Sequence, residues 1–440
     1  MGRPARVTTA VVPFAYDLGG RVVDADAAAA ALGDLDDVVG PITVDSGAVR
    51  SWNLSYLASH APVLRCELTP GIAEIGSQPW GYTRVLRVYP WLGVAMIEYT
   101  FAPPAADLPI STFYDGLVAW KNTDYLPHLH EQGALTGHLG LHTSWSPSPG
   151  DQDLHRSLVR RLREGLDARA ALEPRLRRYA FHDFRPCFVV DASTTDDAEV
   201  DALLLLTDRL HATAQRYDAE QATFRGVHLA TTGWSTVIRH AGDDAPVRAV
   251  LDMLCLVHAQ WFLCQAWIST YDADTVLDAA PDGPGQAEEF ARTQLYLARD
   301  LVEVDNLDLM LKDPALIRVA RTLGVAFGLL EHRAAAERRL KVLDDYSRQI
   351  AEVTQARDAQ RLQILFSLSA AGTIAGLIPA IASMQSSFML TLATVVVGVV
   401  LWLGFAVNFA VLVRRRNAAV RASRVRRHRR RRSVWRAGPA

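Results

Sequence analysis

Four histidines, His128, His130, His138 and His142, fall within fifteen residues of one another, close to Asp124 and Glu131. Imidazole nitrogens and carboxylates suit zinc and other divalent cations, so this cluster is the candidate metal centre and a divalent cation the only cofactor suggested. Its spacing is not that of a helix-borne zinc protease, because Ala134 stands where HExxH requires its second histidine. Pro127, Gly133, Gly137 and Gly140 make the segment a loop, and a polar surface loop accounts for the same residues. No GxxxxGK[ST] loop, GxSxG elbow or strand-anchored GxGxxG is present, and no spacing pairs a nucleophile with a base. No residue is therefore assigned a catalytic role, and the chain reads as a non-enzyme.

A second constellation could act on ions. Ser369, Thr373, Gly376, Ala380 and Ser383 recur at steps of 4, 3, 4 and 3, a stripe of small or weakly polar side chains down one helix face. Small residues let backbones approach closely, and Gly372 with Gly376 forms a GxxxG pair. The stripe is the candidate pore lining if several copies surround an axis, and a packing face if it meets a single neighbour. Continued backward it reaches Phe366 and Leu362, whose rings around such an axis would gate by dewetting.

The elements that must carry this stripe are two uncharged stretches, Ile364–Met384 and Phe388–Val413, linked by Gln385-Ser386-Ser387. At 1.5 Å per residue each could cross a hydrocarbon core of about 30 Å, so the expectation is a transmembrane hairpin. Arg414, Arg415 and Arg416 follow directly, and residues 414–440 hold twelve arginines and no acid. That end is expected to stay in the cytoplasm and contact anionic lipid headgroups. The hairpin would return the N-terminal part to the same side, giving a multi-pass inner (plasma) membrane protein with both termini cytoplasmic. Of the 46 basic residues in the chain, 34 remain outside the tail, against 48 acidic ones. So acidic a body makes nucleic acid an unexpected partner. Met1–Gly20 lacks the apolar core of a signal peptide, and the four cysteines show no CxxC spacing and are read as free thiols.

Along the chain, strands are predicted over residues 8–16, 62–68, 83–89 and 91–101, with a helix over 24–35 and a short one over 111–120. Ser146–Asp151 reads as a linker. Beyond it come a charged helix from Asp153, a strand over Cys187–Asp191, a helix over 196–210 and a strand pair over 226–239. Strands and helices mix without a regular βαβ repeat, so the body is expected to be α/β or α+β. Val250–Ile268 is strongly apolar, yet Asp252, His258, Gln260 and Gln265 sit on more than one face, which predicts a buried core helix rather than a third span. Asp313-Pro314 marks a helix start, and from there to Pro379 no proline interrupts a long stalk, with Gly324 and Gly328 allowing a bend. The expected divisions are 1–145, 152–245, a helical region 246–312, a stalk 313–363, the hairpin 364–413 and the tail 414–440.

A cytosolic body, a long helix running into the first of two C-terminal spans and a basic end resemble the CorA-type two-span metal-ion transporters. The Gly-Met-Asn motif of that family corresponds here to Ser383-Met384-Gln385, which places Met384 and Gln385 at the pore mouth. The resemblance implies a homopentamer, with the first span lining a channel gated by the cytosolic domain. The alternative expectation is a membrane-anchored sensor or scaffold, or a bacterial conflict-system effector, whose hairpin serves as anchor.

Overall fold

The computed structural model describes residues 7–44, 63–75, 78–101, 141–142, 154–174, 179–182, 185–208, 219–233, 235–270, 284–305 and 311–383, with scattered positions between 389 and 400. The first strand, β1 (Val7–Asp17), has almost every residue from Ala10 onward buried, as an unbroken apolar run predicts for a central strand. A short β2 (Gly20–Val22) leads to helix α1 (Ala25–Gly33), whose N-cap Asp24 accepts hydrogen bonds from the amides of Asp26 and Ala27 at 3.0 Å. Four strands follow: β3 (Val38–Val44), β4 (Leu64–Ile75), β5 (Gln78–Tyr89) and β6 (Val94–Phe101). Next come β7 (Leu141–His142), α2 (Leu154–Ala168), β8 (Leu172–Pro174), β9 (Tyr179–His182) and β10 (Cys187–Asp191). Helix α3 (Asp197–Asp208) precedes β11 (Glu220–Phe224), β12 (Val227–Thr231) and β13 (Thr236–His240). The remaining helices are α4 (Asp244–Thr270), α5 (Pro284–Asp305), α6 (Pro314–Ala326) and α7 (Leu329–Ser383).

Nine strands form one path in the order β11-β12-β13-β10-β1-β6-β5-β4-β3. Every neighbouring pair is antiparallel except β10 and β13, which run parallel and are joined through α3 and the β11–β12 hairpin. Strand β1 lies between β6 and β10, and so between strands from either side of residues 145–152, where the sequence suggests a linker. Period-two alternation then divides the core. Val11 and Ala15 face a cluster built with α4, α5 and α6, while Ala10, Val12, Phe14 and Tyr16 face one built with α1, α2 and α3.

Helix α4 is the centrepiece of the first cluster, with Val250, Leu254, Val257, Phe262 and Trp267 each at most 1% exposed. Its polar residue Asp252 is mostly covered and is ion-paired. Arg87 of β5 donates to it at 2.8 Å and to Glu98 of β6 at 3.1 Å, so an ion-paired arginine bolts the helix to the sheet. The expectation of a buried core helix therefore holds: Asp244–Ile268 is long and apolar enough to cross a membrane, but 83% of its most apolar stretch is buried inside the body.

The expected C-terminal architecture is overturned. Among the described residues α4 is the single candidate span, and no hairpin following a stalk is found. Instead α7 is one helix of 55 residues that takes in both the expected stalk and the expected first span up to Ser383. The multi-pass inner-membrane placement falls with the hairpin on which it rested. Length and absence of charge report composition rather than environment, and α4 shows that a core helix meets the same test.

The start of α6 is as its sequence predicts. Pro314 occupies the first turn and the Asp313 carboxylate accepts from the Ala315 amide at 2.9 Å. The helix stops at Phe327, and Gly328 at φ +64° lies in the left-handed region that glycine enters without steric cost. The glycine thus falls at the interruption that separates α6 from α7. The chain divides into two compact units, Met1–Ser347 and Arg348–Ala440, the division falling within α7.

Candidate functional site

Two rows of side chains share one face of the β11–β12–β13 end of the sheet. The register places Thr223 opposite His228 and His228 opposite Arg239, and likewise Gln221 opposite Ala230 and Ala230 opposite Val237. Directly opposed residues in antiparallel strands point to the same side, so the six form a continuous floor. The tight β11–β12 turn fixes that register, with Arg225 at φ 48° and Gly226 at φ 84°, the two positive values of a type I′ turn. Thr223 Oγ1 lies 3.3 Å from His228 Nδ1 across the pair.

Helix α3 covers only part of this floor. Val200, Leu203 and Leu204 bury against Val237 and Ala230, leaving the polar row open. Reciprocal capping sets where the helix begins: the Asp196 amide donates to Glu199 Oε2 at 3.0 Å, and the Glu199 amide to Asp196 Oδ1 at 2.9 Å. The turn from β10 is tied as well. Asp191 Oδ1 accepts from the amide and hydroxyl of Ser193, both at 2.8 Å, which holds its carboxyl below the usual value. Asp197 and Asp201 consequently stand at the rim of the floor, where Asp197 accepts from Arg239 at 2.7 Å.

Arg318 of α6 reaches the same space. Helix α6 packs on the other face of the sheet and against the edge strand β11, so Arg318 enters at the β11 edge of the floor, while the α3 carboxylates stand over its β13 side. The result is a groove of about 430 Å³, within the range of small-molecule sites. Carboxylates form one side, an arginine the other, and hydroxyl, amide, imidazole and aliphatic groups form the base. This arrangement can bind by charge and hydrogen bonding. Thr223 and His228 make a hydroxyl–imidazole pair, and among the described residues no third group is shown orienting the imidazole as a catalytic base requires.

Two further polar clusters are sealed in the core. Around Arg87, burial alone would lower the guanidinium pKa, but Glu98 and Asp252 outweigh it and hold the value well above the ordinary one. Cys255 places its sulfur 3.5 Å from Glu98 Oε2, and burial together with that carboxylate pushes its thiol well up. The second cluster holds Arg185 between Trp261 and Phe327, at 4.4 and 4.1 Å from their ring centroids. His258 lies against the same two rings, and burial, reinforced by Arg185, drives its pKa well below the ordinary 6.5.

A neutral buried histidine makes stability depend on pH. The unfolded chain takes up a proton near the ordinary value and the folded chain does not, so the contribution is present above about 6.5 and lost as pH falls through it. The unfolding midpoint is expected to drop between pH 7 and 5, and a His258→Leu variant to show a flatter dependence in thermal melts over that range.

The sequence-based candidates do not converge here. His128, His130 and His138 lie outside the described residues, and the backbone of His142 pairs with Tyr179 between β7 and β9. Among the described residues no group of three or more His, Cys, Asp or Glu side chains could hold a metal ion. On α7, Leu362 and Phe366 are 54% and 72% exposed, and Ser369, Thr373 and Gly376 are exposed too. Thr373 spends its hydroxyl on the Ser369 carbonyl of its own helix, at 2.9 Å. The side chains of Ala380 and Ser383, together with Met384, Gln385, Arg414, Arg415 and Arg416, lie outside the described residues. Sequence reasoning passed over the groove. Its only local signal is the alternation of exposed and buried positions in Glu220–Phe224, and the rest is brought together by the crossover. No family model matches the chain, and no curated protein matches it.

Proposed function

We propose that the body is a non-catalytic sensor module that captures a small polar ligand in the groove formed by α3 and the β11–β12–β13 floor, which Arg318 of α6 reaches at the β11 edge. The observation that carries this reading is the position of Arg318. It lines the groove, yet belongs to α6, the helix that passes through Phe327 and Gly328 directly into α7. A ligand held by Arg318 therefore bears on the element that leads into the long helix, and its differential contact with α6 would supply the free energy for any response. This develops the sensor alternative drawn from the sequence, without a membrane hairpin.

Hydrogen–deuterium exchange on the full chain tests it, with free amino acids, short peptides, inorganic phosphate and nucleoside monophosphates as probes. At least one probe class is expected to slow exchange together in α3, the β11–β12 hairpin and α6. Protection in none of these elements with any probe would overturn the proposal.

A further inference from the structure

The distribution of charge around the groove restricts what it can hold. On the α3 side stand Asp197 and Asp201, both exposed, and only Asp197 is shown with a cationic partner, Arg239. At the β11 edge stands Arg318, exposed and without a carboxylate partner among the described residues. Between them the floor offers Thr223, His228 and Gln221 for hydrogen bonding, and Ala230 and Val237 for apolar contact. We infer that the ligand is dipolar: a small zwitterion, presenting an ammonium group to Asp201 and a carboxylate to Arg318, with a short uncharged body across β12. This rests on the groove being a ligand site.

The physical argument is one of excluded alternatives. A purely anionic ligand filling the groove would bring its charge against the α3 carboxylates, and a purely cationic one would meet Arg318; like-charge contact penalises both. A ligand with both charges satisfies both sides, and the guanidinium fork is well shaped for a carboxylate. The volume of about 430 Å³ exceeds the needs of a single ion and suits a body of dipeptide size.

The test is a titration of the full chain, read by NMR at the His228 ring. The probes are glycyl-valine, its N-acetylated form, its C-terminal amide and inorganic phosphate. Glycyl-valine is expected to bind best, and blocking either end to weaken it about tenfold or more, the size of a hydrogen bond to a charged group. Arg318→Gln should abolish the penalty for amidation, and Asp201→Asn that for acetylation. Both residues are exposed, so both variants should fold. If the acetylated peptide or phosphate matches glycyl-valine, the groove is an anion site. If the amide matches it, the groove is a cation site. In either case the dipolar inference fails while the ligand groove stands. If no probe moves the His228 resonances at millimolar concentration, both fail.

Discussion

Replacing Arg87 with methionine is expected to destabilise the protein by about 3–5 kcal/mol, enough to leave much of it unfolded at physiological temperature. Arg87, Glu98 and Asp252 have side-chain exposures of 5, 7 and 12%, so removing the cation strands two carboxylates in the core. The loss reflects that stranding more than the intrinsic strength of the pairs. Glu98→Gln with Asp252→Asn in the Arg87→Met background should therefore recover part of the stability, and a well-packed apolar triple replacement should recover more. Urea denaturation followed by circular dichroism measures all three. An Arg87→Met protein as stable as the parent would show that α4 is held by packing alone.

The second large effect is expected at Trp267, which is 1% exposed and donates its indole N–H to Asp300 of α5 at 3.0 Å. Trp267→Ala removes one of the largest fully buried side chains and should cost about 3–5 kcal/mol. Trp267→Phe retains most of the volume and deletes the donor to a carboxylate, for about 1.5–3 kcal/mol. If the phenylalanine variant loses as much as the alanine one, the hydrogen bond dominates; if it loses nothing, packing does. Differential scanning calorimetry of the pair separates these terms.

Much of the body is legible in the residues. The uninterrupted apolar run of β1, the strand Cys187–Asp191 and the Asp313-Pro314 helix start appear where pattern and capping chemistry place them. Asp252 was informative too: a carboxylate in an apolar helix implies a partner, although nothing local names Arg87, which lies in β5. Strand β3 was missed because Gly40 and Pro41 interrupt its pattern. Strand β11 was missed because three of its five residues, Glu220, Gln221 and Thr223, are exposed. The groove was hidden for the same reason in a stronger form. Its charged groups come from α3, β13 and α6, spread over more than a hundred residues from Asp197 to Arg318, and only a crossover that the sequence does not encode locally unites them. The C-terminal expectation failed because an uncharged run states what a segment is made of and not what surrounds it.

The place of β1 has a consequence for how the protein is made. Its ladder with β6 joins residues roughly eighty to ninety apart, but its other flank is filled by β9, which pairs Tyr16 with Phe181, and by β10, which pairs Val7 with Val190. During synthesis the middle of the sheet therefore exists as a half-built template whose second flank must wait for a strand translated much later. Until that strand arrives, β1 offers open backbone groups to any passing chain, the condition that favours mispairing and chaperone capture. The interval is built into the topology, and nascent chains stalled short of residue 187 should be markedly more aggregation-prone than those that have passed 240.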